Sequence, residues 1–247
     1  MFTEVQPQRT ADAVFDQVRS QIVAGTLNAG DPLPGERALS AQLNVSRGVV
    51  REALQRLAQA GLVDIRHGGS TRVLDYTTST DLGLLQHMLI RSDSSLNLGI
   101  LRSLLEMRIS VGVDAARLAA KRSTPAHQQE LAALVESLAA EEDVARQQAI
   151  DLEFWSTIVD AASNLAYRIA YNGLVKTYQP LQAVIATVVI PELENVESHR
   201  TMVAAIRRAD TAGTEAAARA LLESSKAEWD ALLTSLDQDG THSQRKG

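Results

Sequence analysis

The chain has 247 residues, 45% of them hydrophobic, which is more than one average domain needs and enough for two cores. It contains no cysteine, so a disulfide framework and a thiolate metal site are excluded and the composition suits a reducing cytoplasm. The segment MFTEVQPQRT lacks the apolar core of a signal peptide, and no run approaches the roughly 20 apolar residues that span a bilayer; a cytoplasmic protein without a membrane partner is expected.

The net charge of -6 is unevenly placed. Residues 1–80 hold eight Arg, no Lys and eight acids, so the whole acidic excess lies after residue 80. Within residues 32–74, six Arg (Arg37, Arg47, Arg51, Arg56, Arg66, Arg72) face three acids (Glu36, Glu52, Asp64). A basic patch on an acidic molecule points to a polyanionic partner, although a solvated face is the bland alternative.

Val14, Val18 and Ile22 recur every fourth residue and Gly25 follows, which predicts a helix over 11–24. LNAGDPLP then breaks regular structure, because Pro32 and Pro34 remove backbone donors. A short helix over 36–43 and a turn at Asn44 and Val45 lead to Ser46, an N-cap type, with Val50, Leu54 and Leu57 as the apolar stripe of a helix over 47–60 that Gly61 closes. Two short helices with a tight turn form a helix-turn-helix, whose second helix enters the major groove. Alternation in 62–65, turn chemistry at His67, Gly68 and Gly69, and a second strand over 71–74 predict a β-hairpin, the wing.

The predicted fold class is mainly α: an N-terminal winged helix-turn-helix domain over 1–75 and an all-α C-terminal bundle over 81–237. YTTST at 76–80 reads as a polar linker, and 238–247 as a disordered tail. Helices are expected near 81–91, 98–122, 126–141, 145–162, 165–178, 181–189, 192–209 and 215–236, with Pro125 opening one and Pro191 ending another. There is no Walker, Rossmann or nucleophile-elbow pattern, and nothing ties Asp151, Glu153 and His199 to a nucleophile or cofactor, so no enzyme and no cofactor are expected.

The stretch LPGERALSAQLNVSRGVVREALQRLAQAGLVDIRHGGSTRV resembles the winged helix of the GntR regulators. That resemblance implies DNA contact by Arg37, Arg47 and Arg51 and a wing tip at His67, Gly68 and Gly69 that reaches the minor groove. Arg47 and Arg51 stand one turn apart opposite the apolar stripe, and a guanidinium matches the O6/N7 edge of guanine. Gly48 between them permits close approach of phosphate, and Ser46 divides its hydroxyl between capping and phosphate. A homodimer on double-stranded, pseudo-palindromic operator DNA is implied.

Beyond residue 80 the chain resembles the FadR branch of that family, whose helical bundle binds an effector and carries dimer contact. Many relatives hold a divalent metal there through an Asp-x3-His pair and two further His. Here Asp151 is present, Trp155 replaces its partner His, His199 matches the next ligand, and the last falls near Ser224 or Ser225. One carboxylate and one imidazole make a poor cage, so no metal is expected. The segments QHML, AASNLAYRIAYNGLVKTY and ESSKAEW look more like the fatty-acyl-CoA-responsive type of this branch. That likeness places Ser225 and Trp229 at the effector, with Tyr167, Tyr171, Asn172 and Tyr178 lining the bundle beside Trp155 and His199. Ordinary core aromatics are the plain alternative for this stripe. Leu222 stands where that type has a glycine, and a small carboxylate effector remains the competing expectation.

Overall fold

The computed structural model describes residues 7–66, 70–79, 82–90 and 95–244. The expected wing tip at His67, Gly68 and Gly69 lies outside the described residues. The chain divides into two compact units between Asn97 and Leu98.

In the first unit, α1 (Pro7–Val23) is followed by α2 (Glu36–Gln42), α3 (Arg47–Gln59), β1 (Val63–Asp64) and β2 (Arg72–Val73). Helix α1 buries Val14, Phe15, Val18 and Ile22, and α3 buries Val50, Leu54 and Leu57. Fully burying a side chain such as Leu57 is worth about 1.5–3 kcal/mol, so this stripe anchors the second helix of the motif. Asn44 supplies the turn with φ +53°, and Gly61, at φ +69°, lets the chain leave α3 for the hairpin.

Strands β1 and β2 pair antiparallel, Val63 opposite Val73 and Asp64 opposite Arg72. The segment expected only to break structure also joins them. Gly30 and Leu33 donate backbone bonds to the carbonyls of Val73 and Thr71, and Val73 donates to Asp31. Pro32 sits opposite Arg72, at an edge where a missing donor costs no ladder bond.

Within the expected polar linker over 76–80, α4 (Tyr76–Ser79) is a helical turn. Asp75 organises it, its carboxylate accepting from the Thr77 backbone at 3.0 Å, and Ser79 donates to the Gly61 carbonyl at 2.7 Å. A one-turn 3-10 helix over Leu82–Leu84 runs directly into α5 (Leu85–Met88), so the helix expected over 81–91 is present over a shorter span with a 3-10 first turn.

The second unit comprises α6 (Leu98–Arg122), α7 (Pro125–Ala140), α8 (Val144–Ala161), α9 (Leu165–Tyr178), α10 (Gln182–Val188), α11 (Ile190–Glu194), α12 (Val196–Arg207), α13 (Thr211–Glu223) and α14 (Lys226–Gln244), with a 3-10 turn over Gln179–Leu181. Its core joins Ala115, Ala116 and Ala119 of α6 to Phe154 and Ile158 of α8 and to Met202, Ile206, Ala218 and Leu221. The alanines let the backbones of α6, α12 and α13 approach closely around the large residues.

Further expectations are corrected. Pro191 opens α11 and does not end an element, since its missing N–H falls in a first turn where no partner exists. The single helix expected over 192–209 is interrupted at Asn195, whose side chain accepts from Ser198 and caps α12. The helix expected over 215–236 breaks at Ser224, whose hydroxyl bonds back to the Leu221 carbonyl at 2.6 Å. Residues 238–244, expected as tail, continue α14, because each added residue gains a backbone bond once a helix is nucleated. Residues 245–247 lie outside the described residues.

Candidate DNA interface and effector cavity

Helix α3 opens on Ser46, whose hydroxyl accepts from the Val49 backbone at 3.3 Å. That N-cap leaves Arg47 and Gly48 in the first turn, both exposed. Among the described residues, the Arg37 and Arg47 guanidinium groups make no hydrogen bond or ion pair. The other arginines of the basic stretch are occupied within the chain. Arg56 pairs with Asp12 and lies over the Phe15 ring at 5.2 Å, tying α3 to α1. Arg66 pairs with Asp64 at 2.9 Å, and Arg72 donates to the Gly30 carbonyl at 2.8 Å. Arg51 is exposed but bound to Glu36, with Nε 2.9 Å from Oε1 and Nη2 2.7 Å from Oε2. Sequence reasoning placed Arg51 on the reading face without seeing this partner, 15 residues away on α2.

Gly48 has open space around it. A Cβ there would meet only Ser46 Oγ, at 3.8 Å. The chain's own packing therefore does not require glycine at a helical position where it is costly. Gly48→Ala is expected to raise stability by about 0.5 kcal/mol while weakening DNA binding, because the methyl occupies space that the folded chain leaves for a partner. Paired thermal melts and gel shifts measure the two effects.

In the second unit the strongest polar feature is one the sequence reading missed. Arg108 of α6 donates through Nη1 to Glu192 Oε1 at 3.0 Å and through Nη2 to Oε2. Glu192 is fully buried. Burial pushes its carboxyl above the ordinary value, opposed by the Arg108 charge and hydrogen bonds. Arg108 borders three adjoining cavities of about 60, 220 and 280 Å³.

Trp155, Tyr171 and Tyr178 line the 60 Å³ cavity with Asp151 and Arg108. Tyr171 donates to the Leu152 carbonyl at 2.6 Å, and burial raises the phenols of Tyr171 and Tyr178. Tyr178 and Trp229 border the 220 Å³ cavity with Lys176. Trp229 also borders the 280 Å³ groove, where Leu105, Ile109 and Leu233 form an apolar lane between charged residues of both signs, Arg102 and Lys226 with Glu106, Glu223 and Asp230. Among the described residues, three polar atoms of this lining are buried without a hydrogen-bond partner: Trp155 Nε1, Tyr178 OH and Trp229 Nε1. Ser225 is fully buried beside Glu192, whose carboxyl it helps to hold down.

Two of the expected lining residues are elsewhere. Tyr167 shares the helical face of Tyr171 and Tyr178 but stands at the far end of α9, where its hydroxyl donates to Asp114 at 2.8 Å. Asn172 is exposed, being turned about 100° from Tyr171.

His199 is also behind the cavity wall rather than in it. Its Nε2 is 3.1 Å from Asp151 Oδ1 and its Nδ1 is 3.0 Å from the Asn195 carbonyl. Burial disfavours its imidazolium, but Asp151 overrides this and raises the imidazole above its ordinary value. Among the described residues no third His, Asp or Glu joins this pair to form a metal-binding group. Trp155, in the place of the expected His, packs on Gly112, where a Cβ would lie 3.5 Å from the indole and 2.9 Å from Leu222 Cδ1. The glycine that accommodates Leu222 is thus on α6, opposite it.

A winged helix that presents arginines at the start of its second motif helix, followed by an all-α domain with internal cavities, defines a ligand-binding transcription regulator. Residues 10–73 match the bacterial regulatory proteins of the gntR family, and residues 103–224 match the FCD domain. The chain is 35% identical to the HTH-type transcriptional regulator Mce2R of Mycobacterium tuberculosis (strain CDC 1551 / Oshkosh), over 91% of this chain and 93% of the relative. It is 32% identical to the putative L-lactate dehydrogenase operon regulatory protein of Escherichia coli (strain K12), covering 71% and 67% of the two chains. It is 29% identical to the fatty acid metabolism regulator protein of Serratia proteamaculans (strain 568), covering 70% and 71%. The chain belongs to the gntR family of bacterial regulatory proteins, with a FadR-type FCD domain as its effector-binding part. No helix among the described residues is long and apolar enough to cross a membrane.

Proposed function

We propose that the chain is a homodimeric DNA-binding regulator whose DNA hold is released by a long-chain fatty acyl-CoA. Arg37, Ser46, Arg47, Gly48 and Arg51, with the wing tip at His67, Gly68 and Gly69, form the DNA face of each protomer. The two-fold dimer reads a pseudo-palindrome with half-sites about 10 bp apart or closer. The observation that carries the effector assignment is a pair of buried polar atoms with no hydrogen-bond partner among the described residues, Tyr178 OH and Trp229 Nε1, on the 220 Å³ cavity, next to a groove whose apolar lane is edged by Arg102 and Lys226 as well as Glu106, Glu223 and Asp230. Buried donors without partners cost about 1–3 kcal/mol each. A ligand with carbonyl acceptors satisfies them, the lane takes its acyl chain, and Arg102 and Lys226 suit its phosphates. The similarity to a regulator named for fatty acid metabolism supports the same reading.

A small carboxylate effector is the second reading. It is favoured by the Arg108 guanidinium beside a cavity of only about 60 Å³ and by the similarity to a regulator named for a lactate dehydrogenase operon. Both tryptophans, Trp155 and Trp229, belong to the second unit, so intrinsic fluorescence follows ligand uptake there. Titration with acyl-CoAs of increasing length is expected to show affinity rising by up to about 0.8 kcal/mol per buried methylene until the groove is full, with free CoA binding weakly. Tighter binding of lactate or another short acid would overturn the acyl-CoA assignment.

A further inference from the structure

We infer that Glu36 is a positioning residue that sets DNA specificity: it grips one edge of the Arg51 guanidinium, so that Arg51 reads a base with its other edge instead of anchoring a phosphate. The inference rests on the DNA-binding reading above. Glu36 is the first residue of α2 and Arg51 stands in the second turn of α3, so the pair joins the two helices of the motif. Its bonds of 2.9 and 2.7 Å are parallel and use both carboxylate oxygens. A guanidinium has five N–H groups. Glu36 takes the one on Nε and one on Nη2, which leaves one on Nη2 and two on Nη1. Those two nitrogens still present a pair of donors that fits the O6/N7 edge of guanine. A long side chain that would otherwise sample many rotamers is fixed in direction, with its reading edge left open.

Charge leads to the same conclusion. A carboxylate on a surface that meets phosphates weakens affinity, and this one is exposed enough that its ion pair adds little to folding. Arg51 holds the Glu36 carboxyl below the usual range, with a smaller contribution from Arg47. Arg51 and Glu36 together are therefore neutral and release few counterions, whereas Arg37 and Arg47 keep their full charge. The other arginine pairs of this unit do different work: Arg56–Asp12 ties α3 to α1, and Arg66–Asp64 stays beside one strand.

The test uses the full chain and Glu36→Gln, each selected against a random-sequence duplex library and then titrated at several salt concentrations. The variant is expected to melt with the wild type and to bind non-operator duplex about fivefold to tenfold more tightly at low salt. Its salt dependence should steepen by about one counterion per protomer, and its preference at one base pair per half-site should relax. Arg51→Lys keeps the charge but loses the fork, and is expected to relax the same base pair. If Glu36→Gln melts lower, Glu36→Asp, too short to grip both nitrogens from the same backbone, carries the same test. Unchanged base preferences and an unchanged salt slope in the Glu36 variant would overturn the inference. A wild type that enriches no sequence would overturn the DNA reading itself, and the inference with it.

Discussion

Arg47→Ala is expected to abolish specific operator binding while leaving the chain folded. Arg47 is exposed at the first position of α3 and its guanidinium has no hydrogen bond or ion pair among the described residues, so its removal takes little from the native state. A lost bidentate base contact costs about 1–3 kcal/mol per half-site, and a two-fold dimer loses it twice. Operator affinity should therefore fall by roughly thirtyfold or more. Circular dichroism melts check the fold and a gel shift checks the binding. Wild-type affinity in the variant would remove Arg47 from the reading set. Arg56→Ala is the instructive contrast, because it breaks the link to Asp12 and Phe15 and should lower stability as well.

The second large effect is expected at Arg108. Replacing it by Met leaves Glu192 buried among apolar groups without its cation, and breaking a buried pair from one side costs about 3–5 kcal/mol. The loss should depend on pH. Burial holds the lone Glu192 carboxyl above its unfolded value, so the neutral form is tolerated in acid and stability declines as pH rises through the raised folded value. Arg108→Met is therefore expected to be mildest in acid and most damaging above neutrality. Arg108→Met with Glu192→Gln should recover most of the difference, since no charge is then left behind. Tryptophan fluorescence reports unfolding of this unit; equal stability of wild type and the single variant at neutral pH would show that the pair is not a structural link.

Much of the first unit was legible because its signals are local. Ser46 before α3, the Val50–Leu54–Leu57 stripe and Gly61 after it each act within one or two helical turns. The ends of α8 and α12, at Ala161 and Arg207, fall close to the expected 162 and 209, although Ser163 and Ala209, at φ +48° and +54°, are not glycines. Asp75 and Asn195 did carry cap chemistry, but the runs around them were read as a joint and as one long helix. The effector site was legible only in part. Periodicity could align Tyr167, Tyr171 and Tyr178 on one face, yet it could not show that Tyr167 lies beyond the cavity beside Asp114. Arg108 and Glu192 are 84 residues apart, and Glu36 and Arg51 lie on different helices, so neither partnership leaves a trace in spacing.

Ligand-gated release is tested most directly by titrating a preformed operator complex with acyl-CoAs of increasing length. An effector shifts the equilibrium only if it binds the DNA-incompetent arrangement better than the competent one. The expected result is release that grows with chain length, little effect of free CoA, and blunted release in Trp229→Ala with unchanged DNA affinity in the absence of ligand. Retention of DNA at every chain length, or release by a small organic acid instead, would contradict it.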